Sequence, residues 1–152
     1  MNAGPPDSSP VDSYPGDDAP RAAIAQWMAR GAIGGGLPGE LPPMGALVAS
    51  GLRNLPLGQG EADSAGYFQM RVAIWDRGDY AGFPERPELQ LRWFIDLATR
   101  VRRARIEGGR GDPLADEAGW GEWIADVLRP PEQNRGHYQQ RLPQARELIG
   151  AL

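Results

Sequence analysis

Met44-Gly-Ala-Leu-Val-Ala-Ser-Gly-Leu-Arg-Asn-Leu55, continued after a short break by Glu61-Ala-Asp-Ser-Ala-Gly-Tyr-Phe-Gln-Met-Arg71, is the stretch on which the reading of this chain turns. Met44, Leu47, Val48, Leu52 and Leu55 recur at steps of three and four, so they share one face of a helix. Pro42 and Pro43 stand where a helix start tolerates proline, and Pro56 and Gly58 mark its end. A turn of about 100° per residue puts Gly45, Ala46, Ala49 and Arg53 off that face. The second face therefore consists of very small side chains and one charge. Residues 56–63 read as a loop of turn formers, with Asp63 or Ser64 placed to cap the next element.

Outward from this stretch the apolar periodicity is helical throughout. Ile24, Trp27 and Met28 define a helix from Pro20 to about Ala32, which Gly34-Gly-Gly36 ends. Leu89, Trp93, Phe94, Leu97, Ala98 and Val101 give a broad stripe on the longest helix, from Pro87 to about Glu107, closed by Gly108-Gly109. Trp120, Trp123, Ile124 and Val127 mark a helix over 120–128 that stops at Pro130-Pro131. Leu142, Ala145, Leu148 and Ile149 close a last one. The expectation is an all-α domain over residues 20–152. Residues 1–19 are rich in Pro, Gly, Ser and Asp and read as a disordered tail or linker in which Tyr14 is an incidental aromatic. Arg100, Arg102, Arg103 and Arg105 crowd the end of the longest helix, where the dipole favours cations. A contact with acidic peptides is the lesser reading of that cluster.

Composition narrows the function. The 152 residues carry a net charge of −4, which argues against a nucleic-acid surface. Every one of the 16 basic residues is Arg. There is no Cys and one His, His137, so neither a disulfide framework nor a metal site is expected, and no cofactor is expected. No apolar run approaches the roughly 20 residues of a membrane span. The N-terminus lacks the basic start and apolar segment of a secretory signal.

Ala49-Ser-Gly-Leu-Arg-Asn and Asp63-Ser-Ala-Gly-Tyr-Phe-Gln-Met together resemble the signature of the lysozyme-like lytic transglycosylases, which cut the glycan strands of peptidoglycan. That pattern is a helix ending in Glu-Ser-Gly, a variable loop, then Ser-x-Gly-x-x-Gln-Met. Ser50, Gly51, Ser64, Gly66, Gln69 and Met70 fit it. The general-acid Glu does not: Ala49 stands there. The run from Gly121 to Leu142 also resembles the C-terminal part of such domains in actinobacterial, phage-tail and injection-system proteins.

The resemblance implies a lysozyme-like fold and a cleft in which Ser64, Tyr67, Gln69, Trp75 and Tyr138 contact the sugar. Breaking a glycosidic bond needs a carboxylic acid of raised pKa to protonate the leaving oxygen, and alanine supplies no proton. The implied activity is cleavage of peptidoglycan by a muramidase or a lytic transglycosylase, inactivated here by Ala49. Glu61 and Asp63 are the nearest substitute acids, with Asp76 and Asp79 beyond them. Ala49 is either an introduced substitution or the mark of a natural pseudo-enzyme; the intactness of the remaining motif favours the former. The rival expectation is a non-catalytic module that binds glycan or plugs into a phage tail or injection particle. Without a signal, such a protein is made in the cytoplasm and reaches the cell wall in a particle or as part of a larger protein.

Overall fold

The computed structural model describes residues 13–151. Among these residues six α-helices run in the order α1 Arg21–Gly34, α2 Leu41–Ser50, α3 Val72–Trp75, α4 Pro87–Glu107, α5 Trp120–Leu128 and α6 Leu142–Ile149. Pairs of short 3₁₀ segments fill the three connections from α3 to α6. The described residues hold one sheet, an antiparallel pair of two-residue strands, β1 Ser64–Ala65 and β2 Met70–Arg71, in which Ser64 faces Arg71 and Ala65 faces Met70. The fold is all-α. The bounds of α4 and α5 fall where the sequence pattern puts them, and α1 runs two residues beyond Ala32 before the glycines stop it.

The central helix is α2, which packs against α1, α4, α5 and α6. Residues 41–47 are all buried, so α2 has no polar face to turn outward. Its small side chains are explained by this crowding. A Cβ on Gly45 would lie 3.2 Å from Phe94 Cε2 and 3.3 Å from Leu128 Cδ1. Gly45 thus lets two helices approach α2 closely, whereas the sequence pattern alone left that face unassigned. Behind it, Phe94 and Trp123 are fully buried, and Trp123 Nε1 donates to the Ala98 carbonyl at 3.0 Å.

α2 ends five residues before Leu55. Gly51 (φ 70°) and Leu52 (φ 63°) turn the chain left-handed, and their amides close on the Leu47 and Ala46 carbonyls at 3.2 and 3.0 Å. Leu52 still reaches the core, 1% exposed, through this reversed turn rather than along a continuing helix. Apolar spacing at i, i+4 is satisfied either way, so periodicity does not separate the two.

The expected tail divides. Residues 1–12 lie outside those described. Tyr14, read as incidental, packs edge-on against Trp27 at 4.8 Å and hydrogen-bonds Tyr67 Oη at 2.6 Å. Its hydroxyl donates to Asp17, which also accepts from Asn54 Nδ2 at 3.1 Å. The structured domain therefore begins before Pro20, because an aromatic ring in a polar segment found a buried hydroxyl partner.

Arginines staple the far side. Arg102 makes a bidentate pair with Asp112, both bonds 2.9 Å, and Asp126 accepts from Arg105 and Arg135 at 2.6 Å each. Burial pushes the Asp126 carboxyl up, but the two guanidinium hydrogen bonds outweigh it and hold the group below the ordinary carboxylate range. A carboxylate lowered by folding contributes stability that is present above its unfolded pKa, about 4, and is lost as pH falls through the folded value. Asp126→Asn is expected to lower the urea midpoint at pH 7 and to flatten the loss of stability below pH 4. Parallel midpoint-versus-pH curves for the two proteins would refute this role.

Candidate functional site

One wall of a cleft is built from the end of α2 and the β1–β2 hairpin. α2 delivers Ala49 on its last turn, partly exposed. Ser50, next to it, is 6% exposed, and its hydroxyl lies 2.7 Å from the Tyr67 carbonyl and 3.2 Å from that of Ala46. It also accepts from the Arg53 amide at 3.2 Å. Ser50 thereby pins the helix end to the hairpin.

The hairpin is held from the other side by Gln90 of α4, which is fully buried. Its Oε1 accepts from the Tyr67 amide at 2.8 Å, and its Nε2 donates to the Phe83 carbonyl at 2.9 Å and to Asn54 Oδ1 at 3.2 Å. Gly66, at φ 90°, gives that amide its room: a Cβ there would stand 2.4 Å from Gln90 Oε1. Gln69 closes the turn at φ 53°. Its Oε1 accepts from the Glu61 amide at 2.8 Å and its Nε2 donates to the Gly66 carbonyl at 3.0 Å. Gln69 lines the cleft, but both ends of its amide also brace the loop.

The opposite wall is the connection from α5 to α6. Arg129 ends α5 at φ 52°, Pro130-Pro131 redirect the chain, and a 3₁₀ stretch over Glu132–His137 presents Tyr138. Gln139 anchors this wall: its Oε1 accepts from the Gly121 amide at 2.6 Å and its Nε2 donates to the Glu117 carbonyl at 3.1 Å. The Tyr138 ring is 3% exposed, and burial pushes its phenol up to about 12, so it keeps its proton at neutral pH. Its hydroxyl makes no hydrogen bond to the described residues and is not one of the side-chain atoms shut off from solvent.

Between the walls lies a cleft of about 620 Å³, within the range of roughly 300–1,000 Å³ that small-molecule sites occupy. Ala49, Ser64, Gln69 and Tyr138 line it together, with Glu61 and Asp63 at the same cleft. Ser64 is 2% exposed and contributes chiefly its place in the strand. Glu61 and Asp63 are exposed, and Asp63 is paired with Arg71 at 2.8 Å. Neither is enclosed by apolar side chains.

Two of the residues expected to contact sugar stand elsewhere. Tyr67 is fully buried because Gly66 and Gln69 fold the loop so that both adjacent rings point inward. Phe68 stacks on Phe94 at 4.8 Å while still edging the cleft, whereas Tyr67 turns to Tyr14. Burial pushes the Tyr67 phenol up to about 12. Trp75 sits edge-on between Trp93 (5.3 Å) and Tyr80 (6.0 Å) and lines a neighbouring recess, not the cleft around Ala49.

Other residues emerge only from the structure. Asn134, His137, Arg71 and Arg129 line the cleft, and Gln90 supports its wall. A polar residue one turn before Phe94 on an otherwise apolar stripe is the sequence signal for Gln90. The others carry no signal beyond standing near Tyr138 or in the hairpin. Among the described residues, no group of three His, Cys, Asp or Glu side chains is placed to hold a metal ion. No family model matches the chain, and no curated protein or solved structure matches it.

Proposed function

We propose that this chain is a lysozyme-like domain that grips a peptidoglycan glycan strand in the cleft beside Ala49, and that it holds the strand without cutting it. The parent chemistry is glycan cleavage with an acid at position 49. The observation that carries this reading is Tyr138: a buried ring whose hydroxyl has no partner among the described residues, in the same cleft as Ala49, Ser64 and Gln69. A hydroxyl that lines a cleft and makes no hydrogen bond within the described residues is available to a ligand acceptor. Gln69 and Asn134 offer amides to sugar hydroxyls beside the edges of the nearly buried Phe68 and Tyr138 rings.

The test is co-sedimentation with purified insoluble peptidoglycan. The expected result is retention that soluble glycan fragments compete away, with no muropeptides released. Tyr138→Phe keeps the ring and removes the hydroxyl; a lost hydrogen bond of about 1 kcal/mol weakens retention about fivefold. A folded protein that does not sediment would remove glycan binding and leave the domain as scaffold for a larger assembly, such as a tail or injection particle.

A further inference from the structure

The cleft beside Ala49 does not end at the hairpin. A second recess of about 620 Å³ adjoins it, and Phe68, Gln69, Arg71, Leu128 and Arg129 line both. The two lie side by side as neighbouring arms, with these shared residues between them. The second arm runs over the exposed side of α4 and differs in chemistry from the first. Its floor is apolar, with Trp75, Trp93, Leu97 and Val101. Its charged groups are nearly all arginines.

The charges can be accounted for one by one. Asp126 is the arm's one carboxylate among the lining residues, and Arg105 and Arg135 already neutralise it. Arg71 is paired with Asp63. Arg100 and Arg129 have no carboxylate partner among the described residues, although Arg102 and Arg105 on the same helix end are both paired. The arm therefore presents two uncompensated guanidinium groups over a tryptophan-lined floor, in a protein whose net charge is −4. Arg129 is also held at φ 52°, a left-handed conformation that costs a non-glycine residue about 1–2 kcal/mol. Glycine would occupy that position without strain.

We infer that the second arm binds the carboxylate-bearing peptide stem that branches from the glycan strand held in the first arm, with Arg100 and Arg129 taking the carboxylates. This rests on the glycan reading above. Guanidinium forks match carboxylates in geometry, and the apolar floor takes the short side chains between them. The strand and its branch would lie in adjoining arms, so a single branched ligand can engage both.

The experiment is isothermal titration of the intact chain with three probes: a bare tetrasaccharide of the glycan repeat, the same tetrasaccharide carrying peptide stems, and the free stem peptide. The stem-bearing sugar is expected to bind about fivefold or more tightly than the bare one at low salt, a preference that shrinks as salt rises. Arg100→Gln is expected to bring the ratio of the two affinities toward one. Arg129→Gly is expected to do the same while unfolding at an equal or higher urea concentration, because it removes the left-handed strain; its loss of preference is then not a loss of fold. Equal affinity for bare and stem-bearing sugars, or a preference that both variants leave untouched, would overturn the inference while sparing the glycan reading. Binding of the free peptide alone, sensitive to both substitutions, would uphold the arm and overturn the glycan reading. No binding of any probe would overturn both.

Discussion

Ala49→Glu is expected to release soluble muropeptides from purified peptidoglycan at a rate about 10²–10⁴ times that of the chain with alanine, the range one general acid contributes. The side chain at 49 is on the last turn of α2, partly exposed, and lines the cleft. A longer residue there extends into open space and displaces no core atom. Phe68, Leu128 and Tyr138 line the same cleft, together with Arg71 and Arg129. Ala49→Gln, of nearly the same size, is expected to stay inactive. Mass spectrometry of the products separates two outcomes: anhydro ends indicate attack by the sugar's own hydroxyl, and reducing ends indicate water. If the Glu variant folds and releases nothing, position 49 is not an acid site. If the alanine chain itself cuts, another carboxylate is the acid, and Glu61 and Asp63 are the ones to mutate.

The second large effect is on stability. Gly66→Ala is expected to cost about 3 kcal/mol. Left-handed backbone accounts for about 1–2 kcal/mol of this, since Gly66 stands at φ 90°. The rest comes from the new Cβ, placed 2.4 Å from Gln90 Oε1 and 2.6 Å from its Cδ. Gln90 is fully buried and holds three partners, so its amide cannot move aside without stranding the Tyr67 amide, and a stranded buried group costs about 1–3 kcal/mol. Gly58→Ala is the control. Gly58 has nearly the same φ, 87°, but the nearest atom to its Cβ is the Ala62 carbonyl at 3.9 Å. It is expected to show the backbone cost alone. Equal urea midpoints for the two variants would remove the Gln90 contact as a determinant of the fold.

Much of the architecture was legible in the sequence because helices are local. The stripe of Leu89, Trp93, Phe94 and Ala98 marks α4, and Pro87 and Gly108 bound it by backbone chemistry alone. The cleft was legible only in part. Ala49, Ser64, Gln69 and Tyr138 line one space, yet nothing in their spacing measures how the α5–α6 connection returns to α2. Tyr67 shows the limit most clearly. Whether its ring faces ligand or core depends on two left-handed residues, Gly66 and Gln69, and on Tyr14, 53 positions away. Gln69 gives no warning of a positive φ. Long-range hydroxyl pairs and left-handed non-glycine residues leave no periodic trace.

The two walls are fastened by different forces. The hairpin wall hangs on uncharged, buried hydrogen bonds through Ser50 and Gln90. The facing wall is fastened to α5 partly through the ion pair of Arg135 with Glu122, and α6 behind it to the start of α2 and the 117–119 turn through Arg146 with Glu40 and Glu117. Salt screens the second set and leaves the first alone. Raised ionic strength is therefore expected to loosen the C-terminal half of the domain while the hairpin wall keeps its place.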